Sequence, residues 1–91
     1  MSVNMTKTQQ ILISHPWGST TMARKLTAEL QRRTALPRTV SRQMVWFWRK
    51  GIYVPTPLML EWLRDNALDA DVRALVVSLL EAQAEPEPIP A

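Results

Sequence analysis

Arg42 and Gln43 are the residues whose types and position are best suited to chemistry in this chain. They follow Ser41 and precede an apolar and aromatic run. Arginine forms paired hydrogen bonds with guanine, and glutamine does so with adenine, each pair discriminating between bases by about 1–3 kcal/mol. If a helix starting at Ser41 enters the major groove, these two side chains are the candidate base contacts. Two solvated polar residues after a helix start would give the same pattern.

Trp46, Phe47 and Trp48 follow in the same segment. Helical spacing places Val45 and Trp48 on the inward face and Trp46 and Phe47 at the sides. Exposed large aromatic residues usually belong to interfaces. Trp46 and Phe47 are therefore further candidate base contacts, where they would touch a thymine methyl group. In the alternative, all three aromatic side chains pack into the core.

A second group of residues is suited to the nucleic-acid backbone. Lysine and arginine neutralise phosphates, and hydroxyl or backbone N–H groups at a helix start bind phosphate oxygens. The candidate phosphate contacts are Thr20, Thr21, Arg24, Lys25, Arg38, Ser41, Arg49 and Lys50. A solvated surface position explains any single one of the basic residues equally well, so the cluster is the stronger signal.

The basic residues are concentrated in one half of the chain. Residues 1–50 contain nine basic residues and one acid, for a net charge of +8. Residues 51–91 contain two basic residues and seven acids, for a net charge of −5. This division indicates that one half faces a polyanion and the other does not. Ordinary surface charge for solubility would usually mix the two signs.

Other chemistries have little support. The chain has no cysteine, which excludes disulfides and thiolate sites. His15 is the only histidine, and no set of residues matches a catalytic triad, a phosphate-binding glycine loop or a metal site. We therefore expect no enzyme activity, no cofactor and no metal. No apolar run approaches about 18 residues and no secretory signal is evident, so we expect a cytoplasmic, nucleoid-associated protein without membrane contact.

Helix start and stop signals predict five short helices and no strands. Ser41 and Gly51 bracket the aromatic helix, and Thr56 caps the next one with Pro57 at its first position. The predicted helices cover 6–14, 19 to before Pro37, 41–50, 57–66 and about 69–83. They predict a compact all-α bundle that forms a single domain over residues 1–83, followed by a disordered Pro/Glu tail over residues 84–91.

Apolar periodicity assigns the inward faces of these helices. Glu29 falls on another face of the second helix than the apolar row, which consists of Met22, Ala23, Leu26, Leu30 and, at its end, Arg33. The last helix carries a stripe formed by Val72, Leu75, Val76, Leu79 and Leu80. The candidates for contact between subunits are Trp62, Val76, Val77 and Leu80. In the alternative, these residues form a further wall of the monomer core.

The aromatic segment resembles a known type of recognition helix. Members of the phage-repressor family of the Cro type commonly show a small apolar residue, Ser, two polar residues, a variable position, Val or Ile, two variable positions and an apolar or Trp residue. The matching residues are Val40, Ser41, Val45 and Trp48. The resemblance implies a lambda-repressor-like helix-turn-helix fold with a recognition helix over about 41–50.

Flanking segments extend the resemblance over roughly residues 9–80. Residues 48–55 are similar to the YdaS-like branch, and residues 55–80 are similar to the lambdoid phage CII activators. Residues 18–26 resemble the second helix of the family, with Ala23 as its small buried residue.

The chain departs from the family between the second helix and the recognition helix. Only a few residues separate these helices in the family, but here residues 27–39 lie between them. An extended second helix followed by a longer loop accommodates the extra residues. A rival threading makes 31–38 the second helix, but Pro37 would then lie inside a helix at a cost of about 3 kcal/mol. The first arrangement is therefore favoured.

These observations predict a transcription regulator of phage or prophage type. It would bind double-stranded DNA sequence-specifically as a homodimer or higher homo-oligomer, with host transcription machinery as a further partner. In the alternative, a small phage-type protein uses the helix-turn-helix scaffold to bind and modulate a host protein, since fold does not determine function. RNA binding has less support because no strands are predicted to form a stacking platform.

Overall fold

The protein is an all-α bundle, as its sequence predicts. In the computed structural model, which describes residues 5–33 and 39–84, there are five helices and no strand within those two ranges. The helices are α1 (Lys7–Ser14), α2 (Ser19–Arg33), α3 (Arg42–Lys50), α4 (Pro57–Asn66) and α5 (Ala70–Ala84). Because α5 includes Ala84, it runs one residue past the predicted end of the domain. The rest of the predicted tail, residues 85–91, lies outside the described residues.

Local capping interactions set the helix starts. Thr6 and Gln9 form a reciprocal capping box at α1, and the Ser41 hydroxyl accepts the Met44 N–H at α3. Asp69 Oδ1 accepts the N–H groups of Val72 and Asp71 at α5, and the bond from Val72 is the main reason that the pKa of Asp69 lies below its usual value.

The prediction that Thr56 caps α4 was wrong. Thr56 occupies the N-cap position, but its side chain makes no capping hydrogen bond. Pro57 stands at the first helical position, where its missing N–H leaves no bond unmade. The start of α4 therefore depends on the fixed φ of proline rather than on the threonine hydroxyl.

All five helices contribute to one apolar core. Its fully buried side chains include Leu12 from α1, Val45 from α3 and Leu60 from α4. The apolar row predicted for α2 is buried from Met22 to Leu30, and the α5 stripe is buried at Val72, Leu75, Val76 and Leu79. Each such side chain contributes about 1.5–3 kcal/mol relative to an exposed position, so packing of these faces provides the main driving force for the bundle.

Glu29 departs from its predicted place because it is a buried carboxylate on α2. Its Oε2 accepts the backbone N–H of Leu68 at 2.9 Å, and it is paired with the Arg32 guanidinium. Leu68 lies in the connection between α4 and α5. This carboxylate therefore links α2 to the C-terminal part of the chain, residues 51–91, which carries most of the acids. A buried carboxylate needs such partners, because an unpaired one would lose its hydration without compensation.

A second polar contact fixes the entrance to α3. The Thr27 hydroxyl accepts the Val40 N–H at 2.8 Å and donates to the Val40 carbonyl at 3.0 Å. Val40 is itself buried. Since α2 continues from Ser19 to Arg33, the chain follows the predicted arrangement of an extended second helix, and residues 34–38 of the connection lie outside the described residues.

The two glycines allow a matched stability test. Gly51 ends α3 with φ of 77°, and a Cβ there would lie 2.8 Å from Gln9 Nε2. We expect Gly51→Ala to lower the free energy of unfolding by about 1–2 kcal/mol from the left-handed backbone alone, and by more if Gln9 is displaced. Thermal unfolding should then show a Tm that is lower by about 4–8 °C for each kcal/mol lost from the free energy of unfolding.

Gly18→Ser is the control for this substitution. A Cβ at Gly18 meets nothing within 4 Å, its φ is not positive, and serine is a good residue at a helix start. The control should keep the wild-type Tm or raise it slightly. Equal losses in the two variants would contradict the role assigned to Gly51.

Candidate nucleic-acid interface

Helix α3 separates its side chains into two faces. Val45 and Trp48 are buried, as the sequence predicts. The opposite face follows the spacing i, i+1, i+4, i+5, i+8, which places five side chains on one side of a helix. This outward face consists of Arg42, Gln43, Trp46, Phe47 and Lys50. All are exposed except Phe47, which is half-buried. The four residues predicted to contact bases therefore lie on one surface.

Contacts at both ends hold α3 in place. The Thr27–Val40 pair fixes the segment before its first turn. At the other end, Gln9 Nε2 from α1 donates to the Arg49 carbonyl at 3.3 Å. Because the inward face and both ends are fixed, the outward face has a defined orientation relative to α1 and α2.

Arg49 has a different place from the phosphate contact predicted for it. Its Nη2 donates to the Trp17 carbonyl at 2.6 Å, and its Nε is buried with no hydrogen-bond partner among the described residues. The guanidinium thus attaches the end of α3 to the turn between α1 and α2. Its neighbour in sequence, Lys50, points outward instead, because successive residues on a helix lie about 100° apart.

The predicted phosphate contacts on α2 divide into two groups. Thr20 and Arg24 lie one turn apart on the exposed face. Thr21 is half-buried, and Lys25 turns toward the fold, with its Nζ 5.3 Å from the Trp17 ring centroid and 3.6 Å from Asp69 Oδ2. The α2 surface therefore offers Thr20 and Arg24 to a ligand. Predicted Arg38 lies outside the described residues.

An aromatic row extends the outward face of α3 into the following connection. The rings of Trp46 and Phe47 are 5.4 Å apart, and those of Phe47 and Tyr53 are also 5.4 Å apart, each pair edge to face. Lys50 Nζ lies 5.6 Å from the Trp46 ring centroid. We call the surface of Trp46, Phe47 and Tyr53 the aromatic row. Tyr53 was not among the predicted site residues because a proline-punctuated connection carries no periodicity that assigns a face.

The residues predicted for subunit contacts are mostly part of the monomer core. Val76 is fully buried, so it offers no surface to a second subunit, and that prediction was wrong. Trp62 and Leu80 are partly buried and pack against the core, and Val77 is half-buried. On α4 and in the connection that follows it, the exposed large apolar side chains are instead Leu58 and Leu68.

Charges are divided between the two halves of the bundle. Exposed acids on α4 and α5 are Glu61, Asp65, Asp71 and Glu81. Arg24, Arg42 and Lys50, on α2 and α3, form no ion pair with any described residue. Cations that are not neutralised within the fold remain available to an external anion.

His15 lies in a shallow cleft of about 310 Å³ between the end of α1 and α5, which Asp71 and Ser78 also line. Its Nδ1 accepts the Trp17 N–H at 3.2 Å. Burial lowers the pKa of His15 below 6.5, and the Arg49 charge lowers it further, against an opposing effect of Asp71. His15 therefore acts as a hydrogen-bond acceptor that stabilises the turn.

Within residues 5–33 and 39–84, no three His, Asp or Glu side chains are grouped to hold a metal ion. None of the helices in these two ranges is long and apolar enough to cross a membrane. The chain matches no known family, no curated protein and no solved structure.

The His15 acceptor predicts a pH-dependent stability. Since its pKa is lower in the fold than in the unfolded chain, the unfolded chain binds more protons below about pH 6.5. The contribution of His15 is therefore complete above pH 6.5 and is lost as the pH falls through the lowered folded value. We expect the wild-type Tm to decrease between pH 7.5 and pH 5.

His15→Asn is the matched variant, because an asparagine oxygen can accept the same backbone N–H two residues on and does not titrate. Its Tm should decrease less than that of the wild type over the same pH interval, as measured by circular dichroism. Parallel decreases in the two proteins would show that His15 does not cause the effect.

Proposed function

We propose that this protein is a sequence-specific DNA-binding regulator of phage type, with α3 lying in the major groove of duplex DNA. The observation that carries the proposal is the composition of the outward face of α3. An arginine and a glutamine stand in its first turn, two aromatic residues and a lysine follow, and the opposite face is fixed in the core. The helix-turn-helix arrangement of α2 and α3 is part of this proposal.

The chemistry of the first turn suits base contacts. Arg42 and Gln43 are both exposed, and neither has an ion pair or side-chain hydrogen bond within the described part of the chain. Arginine pairs with the O6 and N7 acceptors of guanine, and glutamine pairs with the N6 and N7 groups of adenine. Trp46, one turn further along, offers an apolar edge to a thymine methyl group.

The remaining cations suit the phosphate backbone. Lys50 ends the outward face of α3, and Thr20 and Arg24 offer a hydroxyl and a guanidinium from α2. In this proposal the protein acts as a homodimer, since operators of two-fold symmetry are bound by dimers, and it works in the nucleoid with host transcription machinery. Leu58 and Leu68 are the exposed apolar side chains available for such subunit contacts.

The role of Lys50 leads to a quantitative test. Each neutralised phosphate contributes about −0.9 to the slope of log K against log salt. We expect Lys50→Ala to bind a duplex of about 20 base pairs (the length that spans two half-sites) more weakly and with a slope smaller in magnitude by about 0.9. Fluorescence anisotropy between about 50 and 200 mM salt measures both quantities.

Arg64→Ala is the control, because it removes a cation of the acidic half that is paired with Asp65 on α4. This variant should retain the wild-type affinity and slope. A slope that is unchanged in Lys50→Ala, or changed equally in both variants, would contradict the placement of α3 on DNA.

The aromatic row favours a second candidate function, the binding of a host protein. Tyr53 is 62% exposed and Trp46 is 46% exposed, and exposed aromatic clusters are typical of protein interfaces. This function predicts association with a protein partner that is insensitive to salt, with no binding to duplex DNA at any salt concentration. The anisotropy series separates the two functions directly.

A further inference from the structure

The aromatic row is an uncovered surface within the described part of the chain. Its members pack on one another, and the adjacent Ile52 and Val54 are also more than half exposed. Apolar surface of this kind is stabilised when a partner covers it.

The C-terminal end of α5 contacts the connection that carries Tyr53. Gln83 Nε2 donates to the Pro55 carbonyl at 2.9 Å, and Pro55 is two residues from Tyr53. The last described residue, Ala84, therefore follows directly on a contact with the connection that carries Tyr53.

The seven residues after Ala84 have the composition that aromatic surfaces bind. Their sequence is Glu85-Pro86-Glu87-Pro88-Ile89-Pro90-Ala91. Proline-rich segments dock on rows of aromatic side chains because proline restricts the unbound chain and so lowers the entropy lost on binding. In the polyproline conformation seven residues span about 20 Å, which is enough to cross rings spaced 5.4 Å apart.

The charges of residues 85–91 also make this segment a suitable occupant of the aromatic row. Glu85 and Glu87 give this segment two negative charges. Lys50 stands above Trp46, and Arg42 lies on the same face without an ion pair in the described part of the molecule. Opposite charges on the two surfaces favour docking of this segment.

We propose that residues 85–91 dock on the aromatic row of their own chain and compete there with DNA. The docking itself is independent of the function proposed above, whereas the competition rests on it. A short covalent connection gives an effective concentration of about 1 mM or more, so even a weak contact covers the row for much of the time. The apparent Kd for DNA is the intrinsic Kd divided by the uncovered fraction, which predicts an affinity about two- to ten-fold weaker.

The docking is tested on the full chain by ¹⁵N–¹H correlation spectra. The tail variant Pro86→Gly/Pro88→Gly/Pro90→Gly keeps both glutamates and removes the conformational restriction. We expect shifts at the Trp46 indole and at the amides of Phe47, Lys50 and Tyr53. The Trp62 indole on α4 should not move. Changes confined to residues 80–91 would overturn the proposal.

A reciprocal pair of surface variants tests the same contact from the other side. Tyr53→Ala should shift the amide signals of residues 85–91. Ile13→Ala removes an exposed apolar side chain of α1, 48% against 62% for Tyr53, and should leave those signals unchanged. Equal effects of the two variants would contradict the assigned site. Shifts that grow with a ten-fold rise in protein concentration would replace the intramolecular contact by one from a second copy.

The competition is measured with a random-sequence duplex and the same proline-to-glycine variant. Because its charge is unchanged, tighter binding by about two- to ten-fold reports release of the row rather than reduced repulsion. Equal affinities of variant and wild type would overturn the competition. If the spectra show docking but the protein binds no duplex, the proposed function is refuted and the docking stands. Failure of the docking can therefore be distinguished from failure of the proposed function.

Discussion

The fixed inward side of α3 is the constraint on which the surface chemistry of this protein depends. Val45 and Trp48 are buried, and hydrogen bonds hold the helix at each end, from Thr27 of α2 and from Gln9 of α1. A helix buried along one side must present its other side to solvent. The arginine, glutamine, aromatic and lysine side chains therefore share one face as a consequence of packing, which is the arrangement that a groove-binding helix requires.

Much of this fold was predictable because the signals are local. Ser41 and Gly51 bracket α3 within a few residues, and Pro57 sets the start of α4. Helical periodicity then assigned Val45 and Trp48 to the core, and the outward face of α3 followed from the same spacing. A segment whose cap, periodicity and stop agree has few alternative conformations, so helix bounds and the faces of α3 needed no knowledge of the rest of the chain.

Apart from the Thr56 cap of α4, the main errors concern residues whose partners are distant in sequence. The sequence predicts that Arg49 contacts phosphate, but its guanidinium donates to the Trp17 carbonyl 32 residues away. Glu29 accepts the N–H of Leu68, 39 residues away. The sequence predicts a subunit contact for Val76, but this side chain is completely buried in the monomer. Periodicity orders side chains around one helix but does not specify what lies opposite, so a basic residue at the edge of a face can serve either the fold or a ligand.

Selection of bound duplexes from a random-sequence library, with wild type and Arg42→Ala in parallel, is the most direct measurement of the central claim. With α3 in the major groove, the wild type enriches one site with two-fold symmetry and half-sites about 34–36 Å apart. Arg42→Ala then loses preference at a single position of each half-site. Absence of any enriched sequence, or an identical preference in both proteins, would show that this helix does not contact bases.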